Sequence, residues 1–231
     1  MNISLISEIL ETYEGRDKFL KTLSYAAKLA TGFTNSSENT KKLKIFGSRM
    51  SECRVILRLM DDIPILHDTL TYGWGKQEPD PMSRCLKLLR NVVDFLASPI
   101  EHICWLGEQK LIRTNEDFWD KLSTVLWIIC LYLSLLMYIT IILFCIDSQC
   151  FYTSTKRNAN LNKQKQHQLL TCTRLCLDLT YAINYLPPGK LWGGCLETWQ
   201  VGLLGTLSSI VGLYQIFKSH RKNKDEENKH A

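Results

Sequence analysis

Asp61 and Asp62 are adjacent carboxylates, the residue type that general acid–base chemistry uses. Cys172 and Cys176 stand one helical turn apart, a spacing at which two thiolates can share a metal. Asn2 and Asn35 each open an Asn-x-Ser triplet, the acceptor for N-glycosylation in an exported chain. None of these beginnings is completed. The carboxylates have no nucleophile, histidine or metal partner at a readable spacing, and a solvated helix end accounts for them. No histidine pair joins the two cysteines, and His67, His102, His167, His220 and His230 form no cluster. The sequence contains no phosphate-cradling glycine loop, Gly-x-Ser-x-Gly, His-Glu-x-x-His or Cys-x-x-Cys. It therefore predicts no catalytic residue, no metal ligand set and no cofactor site, and an enzyme is not expected.

The elements that carry these residues are set by where charge is missing. The 231 residues hold 28 basic and 23 acidic groups. Residues 1–121 balance 17 against 17, residues 147–197 hold 6 and 3, and residues 218–231 hold 5 and 3. No arm is basic enough for nucleic acid. Residues 122–146 and 198–217 have no charged residue at all. Leu122 to Ile146 is about 38 Å long as a helix, against a hydrocarbon core of about 30 Å. Its 15 Leu, Ile, Val and Phe residues favour insertion by roughly 5–9 kcal/mol. A transmembrane helix is expected there. Thr198 to Phe217 is about 30 Å long and less apolar, favouring insertion by about 3–5 kcal/mol. It carries small residues one helical turn apart: Gly202 with Thr206, Gly205 with Ser209, and Ser208 with Gly212. Such a face lets helix backbones approach closely in lipid, so these six are expected to pack against another helix.

Two crossings put both termini on one side. Lys110, Arg113, Lys121, Lys218, Arg221, Lys222, Lys224 and Lys229 flank the spans on that side, against Lys156, Arg157 and Lys190 on the other. The basic surplus makes the terminal side cytosolic. Residues 147–197 then form a loop across the membrane, with one helix from Leu169 to Ile183 ended by Pro187, Pro188 and Gly189. Nine cysteines without a regular spacing fit a reducing location, where the two glycosylation triplets have no meaning.

Upstream, Leu5 to Leu29 has helical spacing, and Gly32 to Thr40 reads as a polar breaker. A second helix is expected over residues 43–61. At 100° per residue, Leu43, Ile45, Phe46, Met50, Cys53, Ile56, Leu57 and Met60 fall in one arc of about 160°, with Arg49 inside it. Lys44, Arg54 and Arg58, with Gly47 and Ser51, fill the opposite arc. That pattern matches helices lying in an anionic bilayer surface, with the basic residues at lipid head groups. Periodicity alone favours packing in a small bundle, the commoner reason for an apolar face. A third amphipathic segment, Ser83 to Cys104, repeats the ambiguity, with Pro64 and the stretch Thr71 to Pro81 read as turn or loop.

Several stretches together resemble a known family. They are Glu11-x-Tyr13-x-Gly15-Arg16-Asp17 with Leu20, Leu23 and Tyr25; Ser51-x-Cys53-Arg54-x-Ile56-Leu57-Arg58-Leu59-x-Asp61-Asp62; Leu186-Pro187 with Leu191-Trp192; and Trp199-x-Val201-Gly202-Leu203-x-Gly205-Thr206-x-Ser208-Ser209-Ile210 with Tyr214-Gln215. In their order and with the two spans, they resemble the peroxisomal membrane protein 11 family, its gamma subtype most closely.

The resemblance implies a multi-pass protein of the peroxisomal membrane that elongates and tubulates that membrane before fission. It implies an N-terminal amphipathic helix inserted in one leaflet, and it turns the reading of residues 43–61 from packing towards insertion. It also implies homo-oligomers and hetero-oligomers with sister subtypes, and downstream recruitment of fission adaptors and a dynamin-type GTPase. An oligomeric metabolite pore and a non-remodelling scaffold for fission proteins are the alternatives. The expected architecture is an all-α membrane protein. Cytosolic amphipathic helices (residues 1–121) precede two transmembrane helices (122–146 and 198–217), which a partly helical loop (147–197) joins, and a basic cytosolic tail (218–231) follows.

Overall fold

The computed structural model describes residues 3–75, 80–151 and 155–230. Every regular element among them is helical. In chain order these are α1 (Ile3–Glu11), α2 (Tyr13–Ala30), a single 3-10 turn (Thr31–Phe33), α3 (Ser37–Arg58), α4 (Asp62–Tyr72), α5 (Pro81–Glu108), α6 (Glu116–Phe151), α7 (Thr155–Asn184) and α8 (Thr198–His230). The all-α membrane architecture stands, with α6 and α8 the two helices long and apolar enough to cross a bilayer.

Helix starts follow local hydrogen-bonding chemistry. Thr12 caps α2, its hydroxyl accepting from the Gly15 amide at 3.0 Å. Asp80 caps α5, its carboxylate accepting from the Ser83 amide at 2.7 Å, with Pro81 opening the first turn where no amide is needed. Asn115 caps α6, accepting from the Phe118 amide at 3.2 Å. Ser36 performs the same service for α3, its hydroxyl accepting from Asn39 at 3.4 Å. The polar stretch expected to break the chain up to Thr40 is therefore the first turn of α3 from Ser37 on, and the helix ends at Arg58, before Met60.

Two other boundaries depart from expectation. Pro64 does not mark a turn but sits in the first turn of α4, where its missing amide costs nothing. The helix expected from Leu169 begins at Thr155, because the polar residues before it are compatible with a helix that the apolar face of its second half anchors. The apolar stretch 122–146 lies inside the longer α6, and α8 runs past Phe217.

The chain forms two compact units, each joining segments from different parts of the chain or several helices in sequence. The first joins residues 1–54 to 196–231, and the second comprises residues 55–195, the boundary falling within α3. In the first unit α2 lies antiparallel along α8, with α1 folded against both. In the second, α6 packs between α5 and α7, and α4 lies on α5. Trp127 of α6 meets Tyr181 of α7 and Tyr185 just beyond its end, with ring centroids at 5.9 and 6.3 Å. This antiparallel return brings Lys190 to one cavity with Lys121 at the start of the first span. The two lysines therefore share one end of α6, whereas the charge count along the chain sets them on opposite sides.

Candidate functional site

The first unit is built on a polar stripe of α2. Asp17, Lys21 and Ser24 recur at spacings of four and three, which aligns them on one helix face, and all three are buried. Lys21 reaches Ser208 of α8, its ammonium 3.2 Å from the hydroxyl. Ser24 donates to the Gly47 carbonyl of α3 at 2.9 Å. Asp17 holds the Arg54 guanidinium of α3 at 2.9 Å and the Lys18 ammonium at 3.2 Å. Burial pushes the Asp17 carboxyl up, but the Arg54 and Lys18 charges and their hydrogen bonds outweigh it, and its pKa lies below the usual carboxylate value. The spacing of this stripe is visible in the sequence, but polar residues at helical spacing look like a solvated face, so sequence reasoning misses it.

The six small residues of α8 fall on this interface. A methyl group on Gly202 would collide with the Leu29 backbone, and one on Gly205 would collide with the Tyr25 ring. Ser208 and Ser209 are fully buried, Gly212 is buried and Thr206 is half-buried. Ser209 and Thr206 turn their hydroxyls back onto the helix, donating at 2.7 Å to the Gly205 and Gly202 carbonyls. The small face therefore meets α2 of the same chain. The opposite side of α8 exposes Trp199, Leu203, Leu207, Ile210 and Tyr214, which recur at spacings of four, four, three and four.

Helix α3 leaves part of its apolar arc uncovered, beside the exposed polar residues Lys44, Ser48, Arg49 and Glu52. Gly47 and Arg54, from the polar arc, turn towards α2. Ile45, Phe46 and Ile56, from the apolar arc, are 53%, 45% and 49% exposed, and Met60 beyond the helix is 75% exposed. Cys53 is also exposed, while Leu43, Met50 and Leu57 are half-buried. The predicted head-group cations divide. Lys44 is exposed, whereas Arg54 pairs with Asp17 and Arg58 lies 3.6 Å from Glu101 of α5. The Arg54 guanidinium is committed to a carboxylate that is itself buried.

In the second unit a polar seam runs where α4, α5 and α6 meet. Asp62 accepts the Ser98 hydroxyl on one carboxylate oxygen and bonds His102 Nε2 at 2.7 Å through the other. A serine, a histidine and an aspartate are thus assembled, but the wiring is wrong for nucleophilic catalysis. Both partners attach to the carboxylate, so no imidazole faces the serine hydroxyl to take its proton. Asp94 pairs with Arg90 at 3.3 Å and accepts from the Cys130 thiol of α6 at 3.1 Å. Two cavities open along the seam, of about 150 and about 540 Å³, both bordered by Ile65 and Asp94. Among the described residues no three His, Cys, Asp or Glu side chains gather as a metal site.

The buried polar contacts of each unit and the two long apolar helices set the context for comparison with known proteins. The family model described as Peroxisomal biogenesis factor 11 matches residues 3–217. The chain belongs to the peroxisomal biogenesis factor 11 family. Its relatives include peroxisomal membrane protein 11C of Homo sapiens, 35% identical over 227 residues, covering 93% of this chain and 94% of that one. The protein of the same name from Mus musculus is 32% identical over 233 residues, covering 95% and 96%. No solved structure matches. Family membership places the chain in the peroxisomal membrane and makes it a biogenesis factor in a family that is not one of enzymes.

Proposed function

We propose that this chain elongates the peroxisomal membrane and helps divide it, with α3 as the element that enters one leaflet. The observation that carries this reading is the outward placement of Ile45, Phe46 and Ile56 while Gly47 and Arg54 bind α2. An apolar helix face that the protein itself leaves uncovered is suited to lipid. A helix lodged about 5–10 Å into the head-group boundary expands that leaflet over the other and favours positive curvature. Because Arg54 is committed within the chain, attraction to anionic lipid rests on Lys44 and its neighbours rather than on a full basic face. Oligomers with itself and with sister subtypes, and fission adaptors with a dynamin-type GTPase, complete the reading as partners that family resemblance implies. The cytosolic side is that of the first-span end where Lys110, Arg113, Lys121 and Lys190 lie.

Reconstitution of the full chain into vesicles containing anionic lipid tests it. The wild type is expected to draw tubules, and the double variant Phe46→Glu, Ile56→Glu to draw few or none at equal protein density. Equal tubulation by both would remove α3 as the acting element.

A further inference from the structure

The exposed positions of α5 between Cys85 and Pro99 are Cys85, Leu89, Val92, Phe95, Leu96 and Pro99. None is charged. Leu89, Val92, Phe95 and Leu96 are 49–56% exposed. The charged residues of the same stretch, Lys87, Arg90 and Asp94, are half-buried on the other side. A helix on the surface of a soluble domain has the reverse arrangement.

The depth of this face is fixed by its neighbour. Asp94 touches Cys130, a cavity joins Lys87 and Arg90 to Met137, and another joins Ser98 and His102 to Ser123 and Trp127. These α6 residues all belong to the uncharged stretch 122–146, and Ser123 to Met137 is about 21 Å of helix. Leu89 to Leu96 therefore lies level with the middle of the span. We infer that α5 lies within the bilayer beside α6, with acyl chains covering Leu89, Val92, Phe95 and Leu96, rather than in the cytosol as its charge count suggests. The inference rests on α6 crossing the membrane, since no aqueous surface exists at that depth.

The charges of α5 from Lys87 to His102 obey the rule for intramembrane ionisable groups, which face the bundle interior and pair, whereas His67 and Asp68 of α4 are exposed and lie 3.6 Å from each other. Arg90 pairs with Asp94, Glu101 with Arg58, and His102 with Asp62. Lys87 stands over the Tyr72 ring of α4 at 4.3 Å. Ile63 and Leu70 of α4, 74% and 73% exposed, extend the apolar surface. The lipid-facing surface of α6, with Val125, Ile129 and Ile139 exposed, belongs to the same unit. Lipid is thus the occupant continuous with an interface the protein already has.

A lipid-borne carbene reagent, its diazirine placed mid-acyl chain, tests this on the unmodified full-length protein in phosphatidylcholine vesicles. After irradiation, adducts are located by mass spectrometry. We expect adducts on Leu89, Val92, Phe95 and Leu96 in yields of the same order as on Ile129 and Ile139. Adducts on α6 without adducts on α5 overturn the inference, whether water or a second protein covers that face, and leave the α6 span intact. Adducts on neither helix overturn the span and the inference with it.

Discussion

Gly205 of α8 stands so close to Tyr25 of α2 that a single added methyl group would enter the tyrosine ring. The two residues are 180 positions apart in the chain, and their contact ties the N-terminal helices to the last one. Close backbone approach of this kind is what small residues permit where lipid supplies no hydrophobic drive between helices.

Replacing Gly205 by Leu should therefore destabilise the first unit by about 1–3 kcal/mol, the usual cost of overpacking. The thermal midpoint of the purified protein in detergent reads this directly. Combining Gly205→Leu with Tyr25→Ala should recover part of the loss, because each change relieves the other. No recovery would mean the damage lies elsewhere on α8.

The salt bridge between Asp17 and Arg54 makes the docking of α3 depend on acid. The Asp17 pKa lies below the ordinary carboxylate value of about 3.9. Its stabilising effect is thus complete above that value and is lost as pH falls through the lower, folded-state pKa. Between pH 5 and 8 the docking should be flat with pH. Asp17→Asn imitates the protonated state at neutral pH and leaves Arg54 facing a neutral amide in a site where both side chains are mostly buried. Breaking a buried pair in this way costs about 3 kcal/mol or more. Amide hydrogen exchange in α3 should rise in Asp17→Asn at pH 7 to the level of wild type below pH 4.

How much of this is legible in the sequence follows from what each residue reports about itself. Leu122 to Ile146 is legible because 25 positions without charge seldom occur together outside a membrane span. The small residues of α8 are legible as a packing face, but nothing local names α2 as the partner. The helical wheel sorts α3 into an apolar and a polar arc and cannot say which one the fold turns inward. Gly47 and Arg54 settle that only through Ser24 and Asp17, some 20 to 40 positions away. The α4 helix is hidden by Pro64, since a proline in a first turn and a proline in a loop look alike without the helix around it. In α5 the charges conceal the immersed character proposed for it, because Lys87, Arg90, Asp94, Glu101 and His102 are met by residues of α3, α4 or its own next turn.

The Ser98, Asp62 and His102 trio gives a prediction about chemistry. The Ser98 hydroxyl donates to the weakly basic Asp62 carboxylate and no imidazole faces it, so a fluorophosphonate reagent should leave Ser98 unmodified in the intact protein. Mass spectrometry of the corresponding peptide checks this, and a stoichiometric adduct would overturn the reading of the trio as structural. Asp62→Ala should release both partners and loosen the start of α4, raising hydrogen exchange over Asp62–Leu66 while α6 keeps its protection.

The two faces of α3 should be separable by mutation. Gly47 faces Ser24 and Ala27 across a gap in which an added methyl carbon would lie 3.2–3.3 Å from its neighbours. A leucine there cannot fit, so Gly47→Leu should lift α3 off α2, at about 1–3 kcal/mol, and raise hydrogen exchange along the helix. Phe46 and Ile56 point outward, and changing both to Glu removes no contact with α2. Stability in detergent should then shift by roughly 0.5 kcal/mol or less per site, with α3 exchange unchanged. If α3 acts on lipid through its outward face, vesicle tubulation must fall in the glutamate variant even though its exchange pattern is that of wild type. Gly47→Leu keeps the apolar face whole, and its tubulation should persist despite the loosened docking. The reverse pairing, with tubulation lost in Gly47→Leu and kept in the glutamate variant, would assign the activity to the α2–α3 contact and not to the wedge.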